Sequence, residues 1–428
     1  MIDIKFLRDN PEIIKNNLKR RYQEEKIAWI DIIISNDKRY RNLKQKAERL
    51  RQQRNTLTDE IREFKQKGQD IAPRLKLAKE IPNKIEIIES EMEEIKLQND
   101  TYLKQLPNIL HNSVPEGKTE DQNKPFRFFL EDPKPKDFEL RSHVELLELS
   151  NLANFEAGRI NAGQGFNYLI GDMTKLDLAL QRFGTDFLEK KGFQLIGVPL
   201  MLNKTSLQGA VNLEDFRDVI YKIEGEDLYL IGTGEHPLVA LNKDKTFNEK
   251  DLPIKICTIT PCFRKEIGGH GVDSKGIFRM HQFYKVEQVI ISNQEDSFKY
   301  MEEMQRISED FFKELKIPFR VIEICAGDLG PKMARQYDIE AWFPREKKYK
   351  EVTSAGNTTD YQAVKLNIKY IDNEGNKKYV HMLNNTMVAT SRAMVTILEN
   401  FQNSDGTITV PKPLRKYLGK KKIGGIKQ

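Results

Sequence analysis

At 428 residues the chain exceeds the ~250 to 300 residues that one hydrophobic core usually spans, so at least two structural units are expected. Hydrophobic residues make up 39% and charged residues 31%, a balance that excludes a disordered chain and suits long solvated helices. The net charge of +6 is modest for this length, so what matters is where the cations cluster.

The N-terminal text, MIDIKFLRDNPEII, lacks the continuous apolar stretch of a signal peptide, and no apolar run in the chain reaches the ~18 residues of a membrane span. A cytoplasmic protein without membrane attachment is expected. Asp9-Asn10-Pro11 reads as an N-cap followed by a first-turn proline, predicting a short helix to about Arg21. From Trp29 the series Ile33, Tyr40, Leu43, Ala47, Leu50, Leu57, Ile61 and Phe64 advances by threes and fours, interrupted at Asn36 and Arg54. A second seam runs through Ile81, Ile85, Ile88, Met92, Ile95, Asn99, Tyr102 and Leu106, and the break between the two holds Gly68, Asp70 and Pro73. The pattern predicts an antiparallel coiled-coil arm whose helices are each ~50 Å or longer at 1.5 Å per residue.

One helix of that arm carries Lys38, Arg39, Arg41, Lys44, Lys46, Arg49, Arg51 and Arg54, opposed within the same stretch only by Glu48. Such a ridge suits the phosphates of a nucleic acid, which it would orient without reading bases. A solvated coiled-coil face or a dimer zipper explains the same residues.

Past Leu106-Pro107-Asn108 the text changes, and Pro115, Gly117, Pro125, Pro133 and Pro135 mark residues 111–136 as a linker between a domain of residues 1–110 and another of residues 137–428. A helix is expected over Leu176 to Lys191, then Gly192 and a strand from Phe193 to Val198. The runs Leu228 to Ile231, Ile254 to Ile259, Phe283 to Ser292 and Arg320 to Cys325 alternate as antiparallel strands do. The expected fold class is therefore α+β, a helical arm followed by a domain with a central antiparallel sheet. Cys257, Cys262 and Cys325 lack CxxC spacing and read as buried thiols of a reducing compartment; the six histidines form no HExxH, so no structural zinc is expected. The lysine-rich end, Lys420 to Gln428, reads as a solvated tail.

Neither GxxxxGK[ST] nor a strand-to-helix GxGxxG occurs. The stretch from Cys262 to Gln288 stands out instead, with a glycine-rich loop between two strand candidates. Alternation would put Arg264 and Glu266 on one strand face, and Arg279, Phe283 and Glu287, spaced by fours, on one face of the return strand. Arginine forks suit phosphate and carboxylate, a glutamate can receive an ammonium or an adenine amino group, and phenylalanine can stack on a purine. A salt-bridged sheet surface remains the alternative at this point.

Arg264-x-Glu266, a loop, then Arg279-xxx-Phe283-xxx-Glu287 resembles motif 2 of class II aminoacyl-tRNA synthetases, in the seryl-specific wording. Gly192-Phe193 leading to Pro199 resembles motif 1, the dimer-forming segment, and the text from His381 resembles motif 3 with Arg392 as its arginine. Thr233-Gly234-Glu235-His236-Pro237 and Glu351-Val352-Thr353-Ser354 are similar to two further signatures of the seryl-tRNA synthetase family, and Leu383 to Met387 is similar to its archaeal and eukaryotic branch. The resemblance covers nearly the whole chain.

It implies a homodimer that activates L-serine with ATP and Mg2+ and then acylates serine tRNA. By position it implies that Arg264, Arg279 and Arg392 are the catalytic cations. Arg264 would bridge the α-phosphate and the serine carboxylate, Glu266 would meet the adenine amino group, and Phe283 with Arg392 would sandwich the base. Arg279 would face the outer phosphates; Met280, Val352 and Thr353 would complete the ATP contacts, and Glu351 with Ser354 would hold magnesium. Thr233, Glu235, Glu287, Asn384 and Thr386 would line the serine pocket beside Arg264. The basic ridge would grip the long variable arm of the tRNA. The chain departs from the family's usual text at Ala355, Gly356 and Thr358, where Cys, Ser and Cys are common, and Val272, Lys275, Val364 and Lys365 replace common arginines. His281 and His270 are expected to be structural. A non-ligating RNA-binding paralogue, or a ligase that loads an amino acid onto a carrier protein, are the rival functions.

Overall fold

The computed structural model describes residues 1–131, 133–213, 216–266 and 276–425, and the chain divides into two compact units at Pro107/Asn108. In the first unit the short helix spans Pro11–Arg20, and two long helices follow, α1 (Ile27–Gln66) and α2 (Ala72–Gln105). They pair along the predicted seams. Ile30, Ile33, Leu43 and Ala47 of α1 and Ile81, Ile85, Ile95, Asn99 and Leu103 of α2 are buried. The polar interruption at Asn36 is matched across the seam: its Nδ2 donates to Gln98 Oε1 at 2.9 Å and Asn99 Oδ1 at 3.1 Å, a rung that fixes register. Pro73 sits in the first turn of α2, where its missing N–H costs nothing.

The second unit is built on an eight-stranded sheet. Its strands in chain order are β1 (Lys124–Phe129), β2 (Gln194–Leu195), β3 (Ile254–Phe263), β4 (Gln282–Ser292), β5 (Phe319–Glu323), β6 (Arg335–Phe343), β7 (Lys348–Asn357) and β8 (His381–Ala389). Across the sheet they run β1-β5-β6-β7-β8-β4-β3-β2, every pair antiparallel except the short parallel contact of β2 with β3. The expected antiparallel sheet is thus a mixed one.

Helices α3 (Asp172–Lys190), α5 (Ser297–Glu314) and α7 (Thr390–Asn400) bury their apolar stripes on one face of this sheet, with Leu180, Phe183, Phe311, Met387 and Ile397 in the shared core. Helices α4 (Glu235–Ala240) and α6 (Tyr361–Leu366) cover part of the other face, where Leu238, Val289, Ile291 and Leu366 meet. On the helix-covered face Gln288 and Asn385, opposite each other in β4 and β8, both donate to Ser308 Oγ of α5, at 3.1 and 3.0 Å.

Four expectations need correction. Residues 111–136 are not simply a linker, because β1 lies inside them as the edge strand of the sheet; Pro125 is tolerated there because an edge strand has one unpaired side. The strand expected over Phe193 to Val198 shrinks to Gln194–Leu195. The basic ridge of α1 is opposed by more than Glu48, since Glu91 and Glu89 of α2 pair with Arg39 and Arg51. The C-terminal lysines are not all a solvated tail: Lys420 holds Asp172 at 2.7 Å, and Lys422–Gly424 pairs with Thr407–Thr409. Residues 426–428 lie outside the described residues.

Candidate active site

The site lies on the sheet face opposite α3, α5 and α7. Ladder partners share a face, so the pairs Thr386↔Glu287, Thr258↔Glu287 and Gly356↔Asn384 place Glu287, Asn384, Thr386 and Thr258 together. Lys285, two residues from Glu287 on β4, joins them. Ser354, two residues before Gly356, also belongs to this face. Glu351 reaches it through a β-bulge: Ile339 opposes Thr353 and Glu340 opposes Glu351, leaving Val352 unpaired. Without the extra residue, two side chains three apart on a strand would point to opposite sides.

A hollow on this face gathers Arg264, Arg279 and Arg392 with Glu266 and Glu351; Met280, Phe283, Val352, Thr353 and Thr386 complete the predicted part of its lining. Arg264 donates from Nε to the Gly232 carbonyl at 3.0 Å and lies over the Phe283 ring at 5.5 Å. Arg392 lies over the Phe278 ring at 5.3 Å, and its Nη1 is 2.9 Å from Glu351 Oε1. Arg279 stands 3.8 Å from Glu266. The expected strand geometry for these residues is wrong, because β3 stops at Phe263 and β4 starts at Gln282. Arg264, Glu266 and Arg279 therefore sit on the flanking turns, and Glu266 adopts φ +43°, a left-handed conformation uncommon outside glycine.

Glu287 is buried beneath the hollow at 1% exposure. Lys285 Nζ is 2.6 Å away, and the Thr233 and Thr386 hydroxyls donate to Glu287 Oε2 at 3.2 and 3.5 Å. Thr233 reaches it because the following residue is glycine: a Cβ on Gly234 would lie 2.6 Å from Thr258 Cγ2 and 3.3 Å from Glu287 Cβ. Asn384 is also buried, and its Oδ1 has no hydrogen-bond partner among the described residues.

Glu235 differs from the expectation that it faces the same pocket. Its carboxylate accepts from Lys332 Nζ and from Gln362 Nε2, the latter at 2.7 Å, and it is 4% exposed. Burial pushes its pKa up, yet the Lys332 cation, with His236 and the Gln362 amide, outweighs burial and holds it at about 2. Burial pulls the adjacent His236 down to about 3. Ser354 stands opposite Asp338 of β6, whose pKa burial and the neighbouring Glu351 push well above its ordinary value.

The sequence missed Lys285, Phe278, Lys332 and Gln362. Lys285 was within reach of alternation from Glu287; the others are long-range partners with no local signal. His281 is structural, its Nδ1 2.5 Å from the Tyr221 hydroxyl and its ring stacked on Phe166. His270, Val272 and Lys275 lie outside the described residues. A larger hollow of about 730 Å³, between residues 133–140 and 342–347, carries none of the predicted site residues.

Comparison with known proteins identifies the family. Residues 219–401 match the tRNA synthetase class II core domain (G, H, P, S and T), and residues 1–110 match the seryl-tRNA synthetase N-terminal domain. A serine–tRNA ligase of Methanoregula boonei is 47% identical over 98% of this chain and 99% of its own length. The chain belongs to the seryl-tRNA synthetase family. The crystal structure of a seryl-tRNA synthetase from Pyrococcus horikoshii complexed with ATP superposes with a TM-score of 0.91 at 44% identity, covering all of both chains. A cytoplasmic serine–tRNA ligase from Naegleria fowleri in complex with AMP gives 0.87 at 32% identity, covering 100% of this chain and 99% of that one. Both units of this chain therefore have counterparts in these two structures.

Proposed function

We propose that this member of the family is a class II serine–tRNA ligase whose open sheet face binds ATP and L-serine side by side. The observation that carries the reading is the convergence of Arg264, Arg279 and Arg392 on one hollow, with Glu287 buried beneath it among Lys285, Thr233 and Thr386. The reaction is attack of the serine carboxylate on the α-phosphorus of ATP with release of pyrophosphate, then transfer of the acyl group to the 3′-hydroxyl of the terminal adenosine of serine tRNA. The carboxylate is already an anion at neutral pH, so the first step asks for alignment and neutralisation of developing charge rather than a base.

Arg264 bridges the serine carboxylate and the α-phosphate, and its fork is held for that task by the Gly232 carbonyl and the Phe283 ring. Phe283 and Arg392 hold the adenine between them, Glu266 receives its amino group, and Arg279 meets the outer phosphates. Met280, Val352 and Thr353 form the surrounding wall. Thr233, Glu287, Asn384 and Thr386 receive the serine ammonium and hydroxyl, so a substrate without the hydroxyl leaves buried polar groups unpaired. Glu235 serves this pocket through the Thr233 turn, its backbone N–H accepted by the Thr233 hydroxyl at 3.2 Å, rather than by direct contact.

Glu351 and Ser354 supply hard oxygen donors on one face and fit Mg2+, which usually takes one or two protein oxygens with the rest from phosphate and water. The ion would neutralise charge on the polyphosphate. The arm grips serine tRNA with Lys38, Lys44, Lys46, Arg49 and Arg54, which form no ion pair among the described residues, together with Arg39, Arg41 and Arg51. Exposed Leu178, Leu195, Leu200 and Met201, around motif 1, support a homodimer. No helix among the described residues is long and apolar enough to cross a membrane, and the proposed location is the cytoplasm.

Pyrophosphate–ATP exchange driven by serine, compared with threonine and alanine, tests the reading. Serine is expected to drive it selectively; no exchange with serine would overturn the proposal in favour of a silent RNA-binding paralogue.

A further inference from the structure

Gly356 stands on β7 directly opposite Asn384. The missing side chain is not empty space. A Cβ built at position 356 would lie 2.4 Å from Met333 Sδ, 2.8 Å from Met333 Cε and 3.4 Å from Asn384 Oδ1. Met333 thus puts its thioether where a side chain at 356 would stand, a place that also borders the Asn384 carboxamide oxygen, which has no hydrogen-bond partner among the described residues.

The thioether has little room to withdraw. Met333 is 8% exposed and packs in a cluster with Leu110, Val114, Ile324 and Leu329. The backbone on either side is pinned: Asn108 Nδ2 donates to the Lys332 carbonyl at 2.9 Å, and Ala334 N donates to the Asn357 carbonyl at 2.8 Å. The Lys332 side chain is anchored on Glu235. Methionine is flexible, but this one is buried in a packed cluster, so a side chain at 356 must press it against its neighbours.

We propose that Met333 is a positioning residue for the amino-acid pocket: it occupies the place of a side chain at 356 and, with Gly356, sets where the Asn384 carboxamide stands. This rests on the reading that Asn384 and Thr386 line the serine pocket. Met333 and a 356 side chain are then alternatives.

The experiment is steady-state pyrophosphate–ATP exchange with the full-length chain, for wild type, Gly356→Ser, Met333→Ala and the double variant, with serine and ATP varied separately. Gly356→Ser is expected to raise the serine KM roughly tenfold while leaving the ATP KM within about twofold, because only the amino-acid end is disturbed. In the double variant the serine KM returns to within about threefold of wild type, the non-additivity that residues in contact show. Gly356→Ala, with less to accommodate, moves the serine KM the same way by less and replaces Gly356→Ser should that variant not fold. An unchanged serine KM in Gly356→Ser, equal rises for serine and ATP, or a double variant no better than Gly356→Ser would overturn the proposal. Wild-type protein without serine-dependent exchange would overturn the function reading itself, and this proposal with it, so the two failures are told apart by the wild-type control.

Discussion

Replacing Lys332 by methionine removes the cation from a carboxylate that is 4% exposed. In the native protein Glu235 ionises at about 2 instead of its ordinary 4.5. At ~1.36 kcal/mol per pKa unit that depression corresponds to about 3 kcal/mol of stability. The folded pKa lies below the unfolded one, so this stability is fully present above pH 4.5 and lost as the pH falls toward about 2. Without Lys332 burial acts with little opposition and the sign reverses, the folded carboxyl titrating above the unfolded one. The variant's deficit is then largest at neutral pH, about 3 to 5 kcal/mol as for a buried pair broken on one side, and shrinks on acidification. Trp342 reports on this unit and Trp29 on the arm, so the assay is urea unfolding followed by fluorescence in a Trp29→Phe background, at pH 7.5 and pH 5. Glu235→Gln added to Lys332→Met should recover most of the loss at pH 7.5. A deficit below about 1 kcal/mol, equal at both pH values and not relieved by Glu235→Gln, would refute the reasoning.

Arg264→Ala is expected to lower kcat/KM for serine-dependent exchange by roughly 10² to 10³, the cost of losing one donor from a charge-stabilising site, and Arg264→Lys should restore little, since a point cation cannot hold the Gly232 carbonyl and lie over Phe283 together. Ser308→Ala removes the acceptor shared by Gln288 and Asn385; unfolding should show a loss of about 1 to 2 kcal/mol with both KM values unchanged, because that network lies behind the sheet. Reversing Lys44, Lys46 and Arg49 to glutamate should raise the tRNA KM in aminoacylation and leave pyrophosphate exchange intact, with a logarithmic salt slope shallower by about one for each phosphate no longer neutralised.

The arm was legible because its signal is local and repeated: every seam residue reports the same geometry as its neighbours, and the interruption at Asn36 meets Asn99 of the second seam. Motif text singled out residues that gather at one hollow, but alternation misassigned Arg264, Glu266 and Arg279, since the strands end before them. Prolines led residues 111–136 to be read as a linker, although an edge strand accepts Pro125. Lys332 and Gln362 were invisible for a different reason. They meet Glu235 from 97 and 127 residues away, and no periodicity encodes a partner at that distance.

The unpaired Val352 on β7 has a consequence for the spelling of the site. Two residues that share a side of a flat strand stand two apart, whereas Glu351 and Ser354 stand three apart, an interval that belongs to helices. The odd spacing is the written trace of a local kink. Moving the acid by one place along the chain would keep the composition and turn its oxygens into the hydrocarbon interior.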